Sequence, residues 1–198
     1  MKLEALVAKY RAEDATRLQQ RLEYFHGLKS FSTVIEDAAL AKEPEWSEYR
    51  KHPHQWRLQE AKLKEVAGKL LRQADKLRAC RSFEEVFHIV DLARVPRFGD
   101  LAVYDTALRI AAKLAQLPLK VYLHAGTREG CKALALPFRE KTLEPKLFQR
   151  PIQQLQAHEI EDFVCIYKDL LASDHTPDAK SGSRCSAAAV RRRRSTRC

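Results

Sequence analysis

Apolar residues recur three and four positions apart along most of this chain, and that spacing restricts the fold to helices packed through one face. Leu3, Leu6, Val7, Tyr10, Leu18, Leu22 and Phe25 mark the first such stripe, with charged residues between them. Only six glycines stand in 198 residues, and Leu, Ala, Glu, Lys and Arg dominate the long segments. Such a sequence lacks the turns that a sandwich of short strands requires, so an all-α, compact multi-helix domain is expected. At this length roughly two-thirds of the unfolded surface is buried on folding, so neither a metal nor a disulfide is needed for stability.

The periodicity predicts helices over residues 3–24, 33–41, 58–79, 83–92, 100–117, 127–136 and 157–171. Pro96 and Pro118 supply breaks between them. Ser82 with Glu85 three positions on forms the expected capping pair for the helix that starts at 83. Residues 119–123 are a short apolar run, extended or part of a turn. From residue 173 onward the sequence becomes Ser/Ala/Arg-rich and cannot form a core. The expected division is therefore a helical domain over 1–172 and a disordered basic tail over 173–198.

No uncharged apolar stretch approaches the roughly 18–20 residues of a membrane span. Glu4, Lys9, Arg11, Glu13 and Asp14 interrupt the N-terminus, which excludes a signal peptide there. The five cysteines are odd in number and none lies in a Cys-x-x-Cys pair. These features lead us to expect a cytoplasmic, monomeric protein with reduced thiols, no metal, no cofactor and no membrane partner. The formal net charge of +10 favours a polyanionic partner. Seven basic against two acidic residues over 172–198 place half of that charge in the tail, with Arg191–Arg194 as a candidate non-specific nucleic-acid arm.

The most informative segment is VDLARVPRFGDLAVYDTALRIAAKLAQLPLKVYLHAGTREGCKAL, residues 90–134. It places two helices on either side of Val95-Pro96-Arg97-Phe98-Gly99. A turn of this apolar-Pro-x-apolar-Gly type resembles the helix-hairpin-helix motif of DNA-binding proteins and of the helix-hairpin-helix DNA glycosylase superfamily. The resemblance covers about a quarter of the chain. It implies a DNA phosphate held by backbone N–H groups at the turn and at the N-terminus of the second helix, where the helix dipole favours an anion. Arg97, Phe98, Gly99 and Asp100 are the residues it assigns to that contact.

The chain departs from the superfamily in three positions. Arg97 stands where the hairpin usually has its first glycine. Lys120 stands in the region 119–121, where the catalytic aspartate is expected, and Leu101 replaces the lysine of bifunctional members. Other groups must then supply the chemistry. Asp105 lies one turn into the second helix beside the phosphate site, four positions from Arg109, and could orient water or stabilise an oxocarbenium-like sugar. Its bland alternative is an exposed ion pair with Arg109. His124 could act as a general acid or base because it titrates near neutrality, or could simply be a polar turn residue. Lys120 could form a Schiff base at an abasic sugar, or be a solvated lysine.

Tyr104, Arg109, Tyr122, Thr127 and Arg128 complete the candidate DNA contacts in this segment. A second cluster, His54-Gln55-Trp56-Arg57, pairs an aromatic ring with basic and amide groups suited to stacking on an extruded base and bonding its edge. The expected function is a DNA glycosylase-like enzyme excising a modified base, in repair or defence against phage. The alternatives are a non-catalytic helix-hairpin-helix module and a helical protein-interaction domain.

Overall fold

The computed structural model describes residues 2–42 and 58–173, and the expectations for His54, Gln55, Trp56, Arg57 and the basic tail lie outside them. The described residues are helical apart from one short strand pair and its loops. Their elements are α1 (Leu3–Glu13), α2 (Ala15–Gly27), α3 (Phe31–Leu40), α4 (Glu60–Leu71), α5 (Ala74–Ala79), α6 (Phe83–Leu92) and α7 (Asp100–Leu114). After these come β1 (Val121–Tyr122), α8 (Ala125–Ala133), β2 (Thr142–Leu143), α9 (Ala157–Ile166) and α10 (Lys168–Ser173). Two turns of 3-10 helix, Pro145–Leu147 and Ile152–Gln154, connect β2 to α9. No described helix is long and apolar enough to cross a membrane.

Two hydrophobic cores divide the elements. The first gathers Leu22 and Phe25 of α2, Ile35 of α3, Leu63 and Leu70 of α4, Phe83 of α6 and Ile110 of α7. The second gathers Leu6 and Tyr10 of α1, Val121 of β1, Cys131 of α8, and Ile160 and Phe163 of α9. This division explains where the expected helices are interrupted. The stripe over 3–24 serves the second core up to Tyr10 and the first core from Leu18 onward, so the helix breaks at Asp14. Asp14 fixes the corner by accepting the Tyr167 hydroxyl at 3.0 Å. The expected helices over 58–79 and 157–171 each divide in two, the first at Arg72–Gln73 and the second at Tyr167.

Local capping follows the sequence. The Ser30 hydroxyl accepts the Thr33 N–H at the start of α3, and the Ser82 hydroxyl accepts the Glu85 N–H at the start of α6. The Glu85 carboxylate accepts from the Arg81 N–H, one residue before the position a full capping box would use. At α9 the reciprocal box is complete, formed by Gln156 and Glu159. Helix α8 begins at Ala125 with His124 as its N-cap, two residues before the expected start at 127, so Thr127 lies inside its first turn.

The strand pair is antiparallel, Val121 opposite Leu143 and Tyr122 opposite Thr142. Alternation along β1 sends Val121 and Leu123 into the second core and Tyr122 against the first. Helices α8 and α9 approach closely through two glycines one turn apart. A Cβ on Gly130 would sit 2.4 Å from the Val164 carbonyl oxygen, and one on Gly126 would sit 2.6 Å from the Cys165 sulfur. That close approach is what carries the N-terminus of α8 onto the polar residues of α9.

Candidate functional site

The turn joining α6 to α7 is closed by the Phe98 N–H donating to the Val95 carbonyl at 3.0 Å. Val95 and Phe98 are buried and anchor it in the first core. Arg97 has φ of 75°, the left-handed conformation a glycine would take without steric cost. The arginine adopts this conformation at an energetic cost, and its side chain is exposed. Gly99 is the N-cap of α7 and offers no side-chain cap, and a Cβ there would meet nothing within 4 Å. The first N–H groups of α7 therefore receive no side-chain cap from Gly99, and the positive end of the helix dipole lies at this terminus. Asp100 is exposed at this end, and Arg94 bonds it at 2.9 Å and Asp91 at 2.6 Å, which offsets both carboxylates.

Replacing Arg97 by glycine is expected to have opposite effects on stability and binding. Relief of the left-handed arginine raises stability by about 1 kcal/mol in urea denaturation. If the turn holds a DNA phosphate, loss of one cation also weakens binding and reduces the log–log salt slope by about 0.9. An Arg97→Gly variant with undiminished salt dependence would show that the turn does not touch DNA.

Beside the turn lies an open cavity of about 450 Å³ at the seam of the two cores. Seams of this kind are where binding clefts form preferentially, and this volume is within the range of small-ligand pockets. Phe87, Tyr104 and Tyr122 wall it, Leu123 and His124 also line it, and its charged rim balances Arg94, Arg128 and Lys141 against Glu84, Asp91 and Asp100. The rings pack on one another: Phe87 and Tyr122 centroids are 4.8 Å apart, Phe83 and Tyr122 5.0 Å, and Tyr104 and Tyr122 5.7 Å. Arg128 is held by its Nε donating to the Leu123 carbonyl at 3.2 Å.

His124 is buried, with its ring 6.4 Å from that of Tyr104. Its Nε2 bonds the Glu161 carboxyl, and Thr127 donates to the same carboxyl oxygen at 3.3 Å. Among the described residues, the His124 Nδ1 and the Tyr104 hydroxyl are buried without a hydrogen-bond partner. Burial pushes the Glu161 carboxyl above its ordinary pKa, and the His124 bond pulls in the opposite direction. Burial, with Glu161 and Asp105 nearby, raises Tyr104 well above the usual phenol range. Burial also raises the Cys165 thiol to about 12 and Asp162 to about 7, with Glu161 adding to both.

The candidates named from sequence therefore separate. Tyr104, Tyr122, His124 and Arg128 converge on the cavity, with Asp100 at its rim. Asp105 lies close enough to Glu161 to raise its pKa but is not part of the cavity wall. The Asp105–Arg109 pair is 3.9 Å apart and largely buried, not an exposed ion pair, and Arg109, expected to contact DNA, instead donates to the Ala38 carbonyl inside the first core, out of reach of a ligand. Thr127 and Phe98 are buried, so their part is to hold Glu161 and the turn rather than to meet a ligand directly. Lys120 faces Glu144 at 3.5 Å across the strand pair, away from the cavity.

Sequence reasoning misses Glu161 and Cys165. They lie one helical turn apart on α9, and Glu161 is 37 positions beyond His124. One ligand atom each from His124, Glu161 and Cys165 fall within 4.8 Å of one another, a donor set that zinc accepts. A sequence without a Cys-x-x-Cys pair gives no hint of this trio. A metal there would have to replace the bond between His124 and Glu161.

Comparison of the chain with protein-family models, curated proteins and solved structures finds no match.

Proposed function

We propose that this chain binds DNA through the 95–99 turn and hydrolyses the N-glycosidic bond of a base drawn into the aromatic cavity. The observation that carries this reading is the position of the buried His124–Glu161 pair, with His124 at the wall of a ring-lined cavity beside the exposed N-terminus of α7. Each part matches a step of the chemistry. The α7 N-terminus and Arg97 suit a phosphate, and Phe87, Tyr104 and Tyr122 suit the faces of an extruded base.

In the reaction the C1′–N bond breaks and its electron pair leaves with the base, which takes up a proton. Water adds to C1′ and gives a proton to the His124–Glu161 pair. The buried Glu161 carboxyl, raised by desolvation and bonded to the His124 imidazole, is placed to hold or pass on that proton. Asp105, close behind, adds negative charge that favours a cationic sugar.

The test is incubation of the full chain with genomic DNAs carrying plain and heavily modified bases, followed by an assay for abasic sites. Abasic sites on one DNA type support the proposal and name its substrate class. Salt-sensitive binding with no abasic sites on any DNA would replace it with a non-catalytic DNA-binding module.

A further inference from the structure

A second cavity, of about 470 Å³, lies on the opposite flank of α6 from the aromatic one. Helical geometry places it there: Glu84, Phe87 and Asp91 face the aromatic cavity, whereas His88, Ile89 and Leu92 face the second. Its other wall is the junction of α4 and α5, which contributes Lys69, Arg72 and Lys76. No acidic residue lines it. Lys69 reaches Glu65 at 3.4 Å, but among the described residues no ion pair involves Arg72, Lys76 or His88. Some exposed cations elsewhere on the described surface, such as Lys64, Arg94 and Lys168, are paired with a carboxylate, and others, such as Arg97 and Lys132, stand singly without an ion pair. Here several are gathered around a concave space with none.

We infer that the groove between α4–α5 and α6 is a docking surface for a nucleic-acid backbone, in which Arg72 and Lys76 neutralise successive phosphates. The inference rests on the DNA-binding reading but not on base excision. Helix α6 runs between the groove and the aromatic cavity and ends just before the 95–99 turn, so a single strand or duplex edge can meet all three. The chain breaks from α4 to α5 at Arg72–Gln73, so the end of one helix and the start of the next together form the basic wall.

The test measures the affinity of the full chain for a fluorescein-labelled duplex of about 20 base pairs across a range of KCl concentrations. The Arg72→Gln/Lys76→Gln double variant is compared with Lys9→Gln/Lys132→Gln, which removes the same charge from exposed positions elsewhere. The groove variant is expected to lower the log–log salt slope by about 1.8, because each neutralised phosphate contributes about 0.9. The control is expected to keep the wild-type slope, and the tail contributes equally to all three proteins. Equal slopes in the two double variants would overturn the inference, because the effect would then be one of net charge alone. A wild-type protein that does not bind the duplex would overturn both this inference and the DNA reading. Abasic-site formation combined with an unchanged groove variant would overturn the groove only.

Discussion

Replacing Glu161 by glutamine is expected to slow base release about 10²–10⁴-fold, the range typical of removing a positioned acid–base group. Glutamine keeps the size of the side chain and an oxygen for the Thr127 hydroxyl, which donates at 3.3 Å. It cannot exchange a proton with the His124 imidazole. The fold should survive, because a buried carboxyl whose pKa is raised by desolvation is replaced by a neutral group. DNA affinity should be unchanged, since Glu161 is buried behind His124 and does not line the cavity. His124→Ala should lose a similar factor, and the double variant should be little worse than either, because the two act as one unit. Single-turnover rates on a duplex with the susceptible base provide the measurement. Wild-type rates in both single variants would make the pair purely structural and end the proposed mechanism. Treatment with a chelator belongs in the same experiment. An unchanged rate fits proton exchange, whereas loss of activity restored by zinc would recast His124, Glu161 and Cys165 as metal ligands.

The two halves of the site differ in how far the sequence reveals them. Val95 to Gly99 announces itself because a proline and a glycine punctuate two apolar stripes, and the structure turns there. Tyr104, Tyr122, His124 and Arg128 sit within a short segment, so the short strand pair and the cap of α8 bring them together locally. Glu161 arrives from α9 through close packing that depends on Gly126 and Gly130, which have no local signature of that role. Its one visible sign is an acid inside an apolar stripe, next to Ile160 and near Phe163 and Val164, all buried. Lys120 misleads for a related reason. It occupies a suggestive place after Pro118, but it directly precedes β1, whose pairing with β2 sets it opposite Glu144.

Helix existence followed from the stripes, and helix interruptions did not. Asp14, Arg72–Gln73 and Tyr167 break helices without proline or glycine, because the apolar face must turn from one neighbour to another. The interruptions matter for function. The break at Asp14 lets the N-terminal residues serve both cores, and the cavity opens where those cores meet. The resulting seam is also where buried carboxylates accumulate, and their stability cost can be measured.

That cost is clearest at Asp162, which accepts the Tyr10 hydroxyl at 3.1 Å and is pushed up from 3.8 to about 7, chiefly by burial and then by Glu161. Below pH 3.8 both the folded and the unfolded chain hold the proton, and the residue is neutral in its effect. Between 3.8 and about 7 the unfolded chain ionises while the folded chain does not, so stability falls as pH rises. Above about 7 the loss is complete. A shift of this size corresponds to a ceiling of about 4 kcal/mol at about 1.4 kcal/mol per pH unit. Asp162 retains some exposure, which screens it, so about 1–3 kcal/mol is expected. Asp162→Asn keeps an oxygen for Tyr10 and removes the ionisation. Urea denaturation should show the variant and the wild type equally stable near pH 4, and the variant more stable by about 1–3 kcal/mol at pH 8. Glu161 remains in both proteins, so the difference reports on Asp162 and on its coupling to Glu161. A gap independent of pH would show that the Asp162 pKa is not shifted, and a variant less stable than wild type at pH 8 would show that the carboxylate is stabilised there by its neighbours. In that case the seam between the cores would hold a charge at no cost, which would remove the physical reason for a proton reservoir beside His124.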